Sequence, residues 1–187
     1  MTTIFLVRHG EFENPENLIH FRLPGFPLSP LGKKQAVKLG DFFQNKKIAA
    51  IHTSPITRCH QTAEIIGNKI SIKSRIDQNL IEVKSPFQGM PLGKYLQTVK
   101  DNNLYFLPSQ IAKGETLEEI SSRMQKALGE FLTKYKDKSV IMVSHGDPIM
   151  ILVQALRGDS AYISQGGFYK LEFNGKKLIR ANLVKSC

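Results

Sequence analysis

Two short, continuous apolar runs, Ile4-Phe5-Leu6-Val7 and Val140-Ile141-Met142-Val143, each reach one further polar residue and then His-Gly-acid. Apolar runs without alternation predict strands buried on both faces, the pattern of a parallel sheet covered by helices. Sites in such sheets gather beyond the carboxyl ends of the strands. The exits Arg8-His9-Gly10-Glu11 and Ser144-His145-Gly146-Asp147 therefore predict two imidazoles facing one crevice, although they are far apart in the chain.

Helical periodicity fills the intervals. Ser29-Pro30 offers a cap and a first-turn proline, and Ala36, Leu39, Phe42 and Phe43 follow at helical spacing, so the Phe42 and Phe43 pair is expected in the core. A strand is predicted at 49–52, then a helix starting at Ser54-Pro55 with an apolar stripe of Ile56, Cys59, Ala63 and Ile66. Arg58 lies off that stripe, about one turn in, where a helix N-terminus favours anions. Between Asp77 and Lys113 the pattern weakens under Pro86, Gly89, Pro91, Gly93 and Pro108, which predicts an irregular lid or binding wall carrying Phe87, Tyr95 and Phe106. Thr116 and Glu119 form a capping box ahead of a stripe running from Leu117 to Tyr135. Asp147-Pro148 signals another helix start, and Asn174-Gly175 a hairpin turn between 168–173 and 176–184. The sum is an α/β fold: a three-layer sandwich with a mostly parallel central sheet flanked by helices and a C-terminal hairpin, in one domain over 1–187.

Composition narrows the partners. Twenty-six Lys+Arg against sixteen Asp+Glu leave a formal charge of +10, which favours an anionic partner. No basic-aromatic motif points to a specific nucleic acid partner. Neither a basic leader nor an apolar stretch of ~20 residues is present, so a cytoplasmic protein with no membrane partner is expected. Two cysteines make no disulfide framework, and the chain leaves its oligomeric state open.

The candidate chemistry follows from residue types. Arg8 and Arg58 are fixed cations with planar donor forks suited to phosphate oxygens, and His9 is a nucleophile once its attacking nitrogen is unprotonated. Together they point to phosphoryl transfer, in which fixed cations stabilise the equatorial oxygens without a metal; His145 adds a donor, and nearby cations keep His9 neutral. Glu11 and Asp147 read as helix caps or loop orienters, and His52, Cys59 and His60 as structural, because Cys59 falls on the apolar stripe.

These motifs resemble the histidine phosphatase superfamily, the branch that includes cofactor-dependent phosphoglycerate mutases. The resemblance is carried by Leu6-Val7-Arg8-His9-Gly10-Glu11, Ser54-Pro55-Ile56-Thr57-Arg58 with Gln61-Thr62-Ala63, and Ser144-His145-Gly146. Pro27-Leu28-Ser29, Leu80-Ile81-Glu82 and Gly114-Glu115-Thr116 stand in the expected order between them. It implies that His9 becomes transiently phosphorylated, that Arg8, Arg58 and His145 hold the phosphoryl group, and that Glu82 gives and takes the proton. The Gly146 N–H, at a helix start, is a further phosphate contact. Where the family often has Asn, this chain has Pro15, which leaves Asn14 and Asn17 as candidate substrate contacts.

The segment Val83-Lys84-Ser85-Pro86-Phe87-Gln88-Gly89 does not resemble the Arg/Tyr-rich stretch of the mutases. The expectation is therefore a cofactor-free, metal-independent phosphatase acting on a small phosphorylated substrate, with Lys84, Lys94 and Lys113 drawing anions to the entrance. The competing readings are a phosphoglycerate-type mutase, a protein phosphatase, a non-catalytic binder of phosphorylated ligands, and a metal-dependent hydrolase built on His9, His145, Glu11 and Asp147.

Overall fold

The computed structural model describes residues 1–101 and 114–185. The elements are β1 (Thr2–Arg8), α1 (Pro30–Gln44), β2 (Ile48–Thr53), α2 (Thr57–Ile70), β3 (Ser74–Ile76), a 3-10 turn at Gln78–Leu80, α3 (Leu92–Asp101), α4 (Leu117–Lys134), β4 (Ser139–Ser144), α5 (Gly146–Arg157), β5 (Phe168–Asn174) and β6 (Lys177–Val184). Six strands form one sheet in the order β3-β2-β4-β1-β5-β6. The first four run parallel; β5 and β6 are antiparallel additions, the expected hairpin.

The apolar runs are continuous because both faces are covered. Along β1, Ile4 and Leu6 join a cluster with Ile120, Met124 and Phe131 of α4 and Ile149 and Leu152 of α5. Phe5 and Val7 point the other way, onto Leu39 and Phe43 of α1 and Cys59, Ala63 and Ile66 of α2. That is the three-layer sandwich. Among the described residues no helix is long and apolar enough to cross a membrane.

Four local expectations need correction. The helix after β2 starts at Thr57, with Ile56 as its cap residue and no side-chain cap. Ser54, expected to cap it, lies between β2 and the helix and spends its hydroxyl on the Ile56 N–H at 3.3 Å and on His145 Nε2 at 2.8 Å. The interval after Asp77 contains the regular helix α3, whose flanking Pro91 and internal Gly93 obscure the pattern. Helix α5 starts at Gly146 with His145 as cap residue, so Asp147-Pro148 lie inside its first turn. Phe43 is fully buried, whereas Phe42 is 41% exposed and meets the core through ring contacts with Phe5, Phe43 and Phe168. The predicted capping box at Thr116 and Glu119 is formed in both directions.

Candidate active site

The parallel pairing of β1 with β4 puts Arg8 opposite Ser144, and the next residue of each strand is a histidine. The His9 N–H donates to the Ser144 carbonyl at 3.1 Å, and the two imidazole centroids lie 5.2 Å apart. Gly10 follows because the chain must pass tightly over α1: a Cβ there would sit 2.6 Å from the Gly32 carbonyl oxygen.

Hydrogen bonds fix the tautomer of each ring. His9 Nδ1 is 2.7 Å from the Gly10 carbonyl, which can only accept, so Nδ1 carries the proton and Nε2 keeps its lone pair. Arg58 Nε donates to that lone pair at 3.1 Å. His145 Nδ1 accepts from Arg58 Nη2 at 3.0 Å, which leaves its Nε2–H for the Ser54 hydroxyl at 2.8 Å. Burial, then the Arg58 charge, holds both imidazoles well below their ordinary pKa. Both are neutral at physiological pH.

Arg58 is fully buried in the second position of α2 and packs 5.2 Å from the Phe12 ring centroid. Its Nη2 also donates to the Phe21 carbonyl at 2.9 Å, which the backbone presents by adopting a φ of +32°. A bulky residue in that region is a true outlier and costs of order 1–3 kcal/mol. Arg8 Nη1 donates to the Ile163 carbonyl at 2.7 Å and to the Tyr162 hydroxyl at 3.0 Å. Two buried guanidinium nitrogens, Arg8 Nε and Arg58 Nη1, have no hydrogen-bond partner among the described residues. Unsatisfied charged donors this deep are costly, and both are donors suited to an anion's oxygens.

Glu82 completes the cluster. Its Oε1 accepts from the Val83 N–H at 2.9 Å, while Oε2 lies 3.2 Å from His145 Nδ1 and 3.5 Å from Arg58 Nη2. Burial and then the charge of Asp147 raise its pKa to about 7, more than Arg58 lowers it. A protonated Oε2 also relieves its close approach to the lone pair on His145 Nδ1. A cavity of about 190 Å³ opens here, lined by Arg8, Ile19, His20, Phe21, Glu82, Gly146 and Asp147.

The structure thus brings Arg8, His9, Arg58, Glu82, His145 and Gly146 into one cluster. The Arg8 guanidinium lies against the Gly146 backbone, where a Cβ would meet Cζ at 3.2 Å. Asn14 and Asn17 are not part of it. Asn14 bonds the Leu18 backbone in both directions at 2.9 and 3.0 Å, and exposed Asn17 takes a positive φ of 50°, so the pair builds a turn. Lys84 and Lys94 are exposed; Lys113 and Phe106 lie outside the described residues. His52 bonds the Tyr135 hydroxyl and His60 pairs with Glu64, both away from the cluster, while Cys59 is buried with Sγ 3.4 Å from His145 Nε2. Among the described residues no group of three or more His, Cys, Asp or Glu side chains is arranged to hold a metal ion.

Over residues 4–177 the chain matches the histidine phosphatase superfamily (branch 1). The chain belongs to that superfamily. It is 31% identical to the "Uncharacterized phosphatase PhoE" of Bacillus subtilis over 160 residues, covering 84% of this chain and 79% of that protein. It is 29% identical to the "Probable phosphoglycerate mutase GpmB" of Klebsiella pneumoniae over 171 residues, covering 87% and 78%. Its fold superposes on that of Bacillus stearothermophilus YhfR with a TM-score of 0.86 at 23% identity, covering 96% of this chain and 95% of that one. Both phosphatases and mutases are named among these histidine phosphatase relatives, so phosphatase or mutase activity is the coarse assignment.

Within this histidine phosphatase, the motif reading missed His20, Phe21, Ser54, Asp147 and Tyr162 as site residues. His20 and Phe21 sit in a long loop without periodicity. The His20 ring lies tilted with its centroid 4.4 Å from that of Phe12 and is kept neutral, its pKa pushed down to about 3 by burial and the Arg58 charge. Ser54 and Asp147 carry strong capping signals, and these, rather than contacts with His145 and the Glu82 cavity, decided how they were read.

Proposed function

We propose that this protein is a metal-independent phosphatase that hydrolyses a small phosphate monoester through a phosphohistidine on His9. One observation carries the reading. The His9 ring is held by Gly10 with its Nε2 turned to the Arg58 guanidinium, and Arg58 and Arg8 each keep a buried nitrogen without a hydrogen-bond partner among the described residues.

In the first step the Nε2 lone pair forms a bond to phosphorus as the bond to the ester oxygen breaks, and the Glu82 Oε2–H proton goes to the departing alkoxide. Arg8, Arg58 and the Gly146 N–H take the phosphoryl oxygens, with the neutral His145 alongside. The positive charge that develops on the phosphorylated ring strengthens the Nδ1–H bond to the Gly10 carbonyl. In the second step the Glu82 carboxylate takes a proton from water, the water oxygen bonds to phosphorus, and the P–Nε2 bond breaks. Phosphate leaves with His9 neutral and Glu82 protonated again.

Hydrolysis is favoured over mutase action by the cavity itself. Among the described residues, its walls offer a substrate one cation, Arg8, and two carboxyl groups, Glu82 and Asp147. A second phosphate or a carboxylate on the alcohol would meet Asp147 rather than a partner. At about 190 Å³ the cavity suits a small ester rather than a folded phosphoprotein.

Incubating the purified protein with phosphorylated metabolites, with and without a bisphosphorylated primer, tests this. Free phosphate should appear, and only from chains that retain His9. Sustained isomerisation with little free phosphate would refute hydrolysis, and undiminished phosphate release by His9→Ala would refute the nucleophile.

A further inference from the structure

Glu82 lies on a loop, and a loop by itself does not hold a proton-transfer group to within a fraction of an ångström. The backbone around it is gripped from two sides. From α4, Arg123 Nη1 donates to the carbonyls of Asn79 and Ile81 at 2.7 and 2.6 Å, with Nη2 3.4 Å from the Glu82 carbonyl. From the loop after β1, Arg22 Nε donates to that same Glu82 carbonyl at 2.6 Å. Between the two guanidinium groups sits the Glu115 carboxylate, bonded by Arg22 Nη2 at 2.8 Å and by Arg123 Nε and Nη2 at 2.7 and 3.1 Å. Glu115 also joins the loop directly. Its Oε2 accepts from the Lys84 N–H at 3.3 Å, and its own N–H donates to the Lys84 carbonyl at 3.0 Å.

Arg22 is placed there by a strained neighbour. The positive φ of Phe21 turns the Phe21 carbonyl onto Arg58 and sends the next side chain across to the Glu82 loop. The Arg22 N–H is meanwhile tied to the Gln88 side chain at 3.0 Å. One loop conformation therefore serves both the phosphate-binding arginine and the carboxyl beside it. Strain kept at such a point marks a function.

We propose that Arg22 is a positioning residue which, with Glu115 and Arg123, clamps the backbone of Glu82 and so fixes its carboxyl beside His145 and Arg58 for proton transfer. The proposal rests on the reading of Glu82 as the acid and base. Arg22 does not touch the reacting atoms; it acts through the main chain of the group that does. Its loss should therefore look like a weakened acid, not a weakened binding site.

A general acid matters when the leaving group is poor and is dispensable when it is good. Phosphoenzyme formation is measured by rapid quench for wild type, Arg22→Ala, Arg22→Lys and Glu82→Gln, with an alkyl phosphate and with p-nitrophenyl phosphate. For Arg22→Ala, the rate with the alkyl ester should fall by about 30- to 100-fold, a displaced acid losing less than the roughly 10²- to 10⁴-fold that general acids supply, with KM within about threefold of wild type. With the nitrophenyl ester formation should change less than about threefold, and a burst of nitrophenol should precede a slow steady state, because the base for the second step is also displaced. Arg22→Lys, which keeps the charge and one donor, should recover part of the alkyl rate. Equal losses on both esters, or no loss on either, in a folded Arg22→Ala would overturn the clamp. If Glu82→Gln itself shows no leaving-group dependence, the acid reading fails and the clamp with it. If Glu82→Gln shows it and neither Arg22 variant does, the clamp alone fails.

Discussion

Replacing Glu82 by Gln should make the protein more stable and less active at once. The carboxyl is 6% exposed, and its pKa is raised from 4.5 to about 7 by burial and by Asp147. For an acid raised in the folded state, folding takes up a proton between the unfolded and folded pKa values, so stability falls as pH rises through that window. At ~1.4 kcal/mol for each tenfold change in the proton equilibrium, the rise amounts to about 3 kcal/mol. Glutamine reproduces the protonated acid: its oxygen can accept the Val83 N–H and its amide can donate to His145 Nδ1, the two shorter of the native side chain's three contacts. Wild type and variant should therefore unfold alike near pH 4. Between pH 4.5 and 7 a gap should open in favour of the variant, reaching about 3 kcal/mol at pH 8, or about 6–12 °C in Tm for a chain of this size. Urea unfolding across pH 4 to 8 measures the gap. A wild type as stable as the variant at pH 8, or more stable, would mean that Glu82 is ionised against Arg58 and is no proton donor.

The other predictions use the same cluster. Asp147→Asn removes the charge that helps raise Glu82, so the basic limb of kcat/KM for an alkyl phosphate, set near pH 7, should move to lower pH; an unmoved limb would contradict that coupling. Arg58→Ala should cost about 10²–10³ in kcat, as loss of a buried oxyanion donor does elsewhere, and Arg58→Lys should recover little because one ammonium cannot serve His9, His145 and Phe21 together. Lys84→Glu and Lys94→Glu should lower kcat/KM severalfold at low salt with the difference vanishing at high salt; an unchanged salt dependence would remove both from the substrate's path.

Much of this site was legible because it sits at the ends of buried parallel strands. A continuous apolar run is hard to mistake, and the residues following it are constrained to the sheet's carboxyl edge, so His9 and His145 could be paired without a contact map. Arg58 was readable as off-stripe in its helix, although its burial was not: an arginine is enclosed only because the site's own acceptors surround it. The clamp behind Glu82 left little local trace, since Arg22 stands far along the chain from Glu115 and Arg123 and both arginines look like ordinary surface charges, while Glu115 was visible only within Gly114-Glu115-Thr116. Asn14 and Asn17 illustrate the converse. Turn chemistry accounts for the recorded contacts of both, although they lie close in sequence to His9. Helix α3 was hidden because its signals are proline and glycine at the very start, which read as irregular chain.

The central claim is a covalent bond between phosphorus and His9 Nε2. Quenching the enzyme with base during turnover of a labelled phosphate monoester, then digesting it and locating the label by mass spectrometry, tests it directly. The account predicts a base-stable, acid-labile phosphoryl group on the peptide that carries His9, approaching one per chain when the second step is slowed and absent from His9→Ala. Turnover at full rate with no phosphorylated peptide at any time point, or with label on another residue, would contradict it.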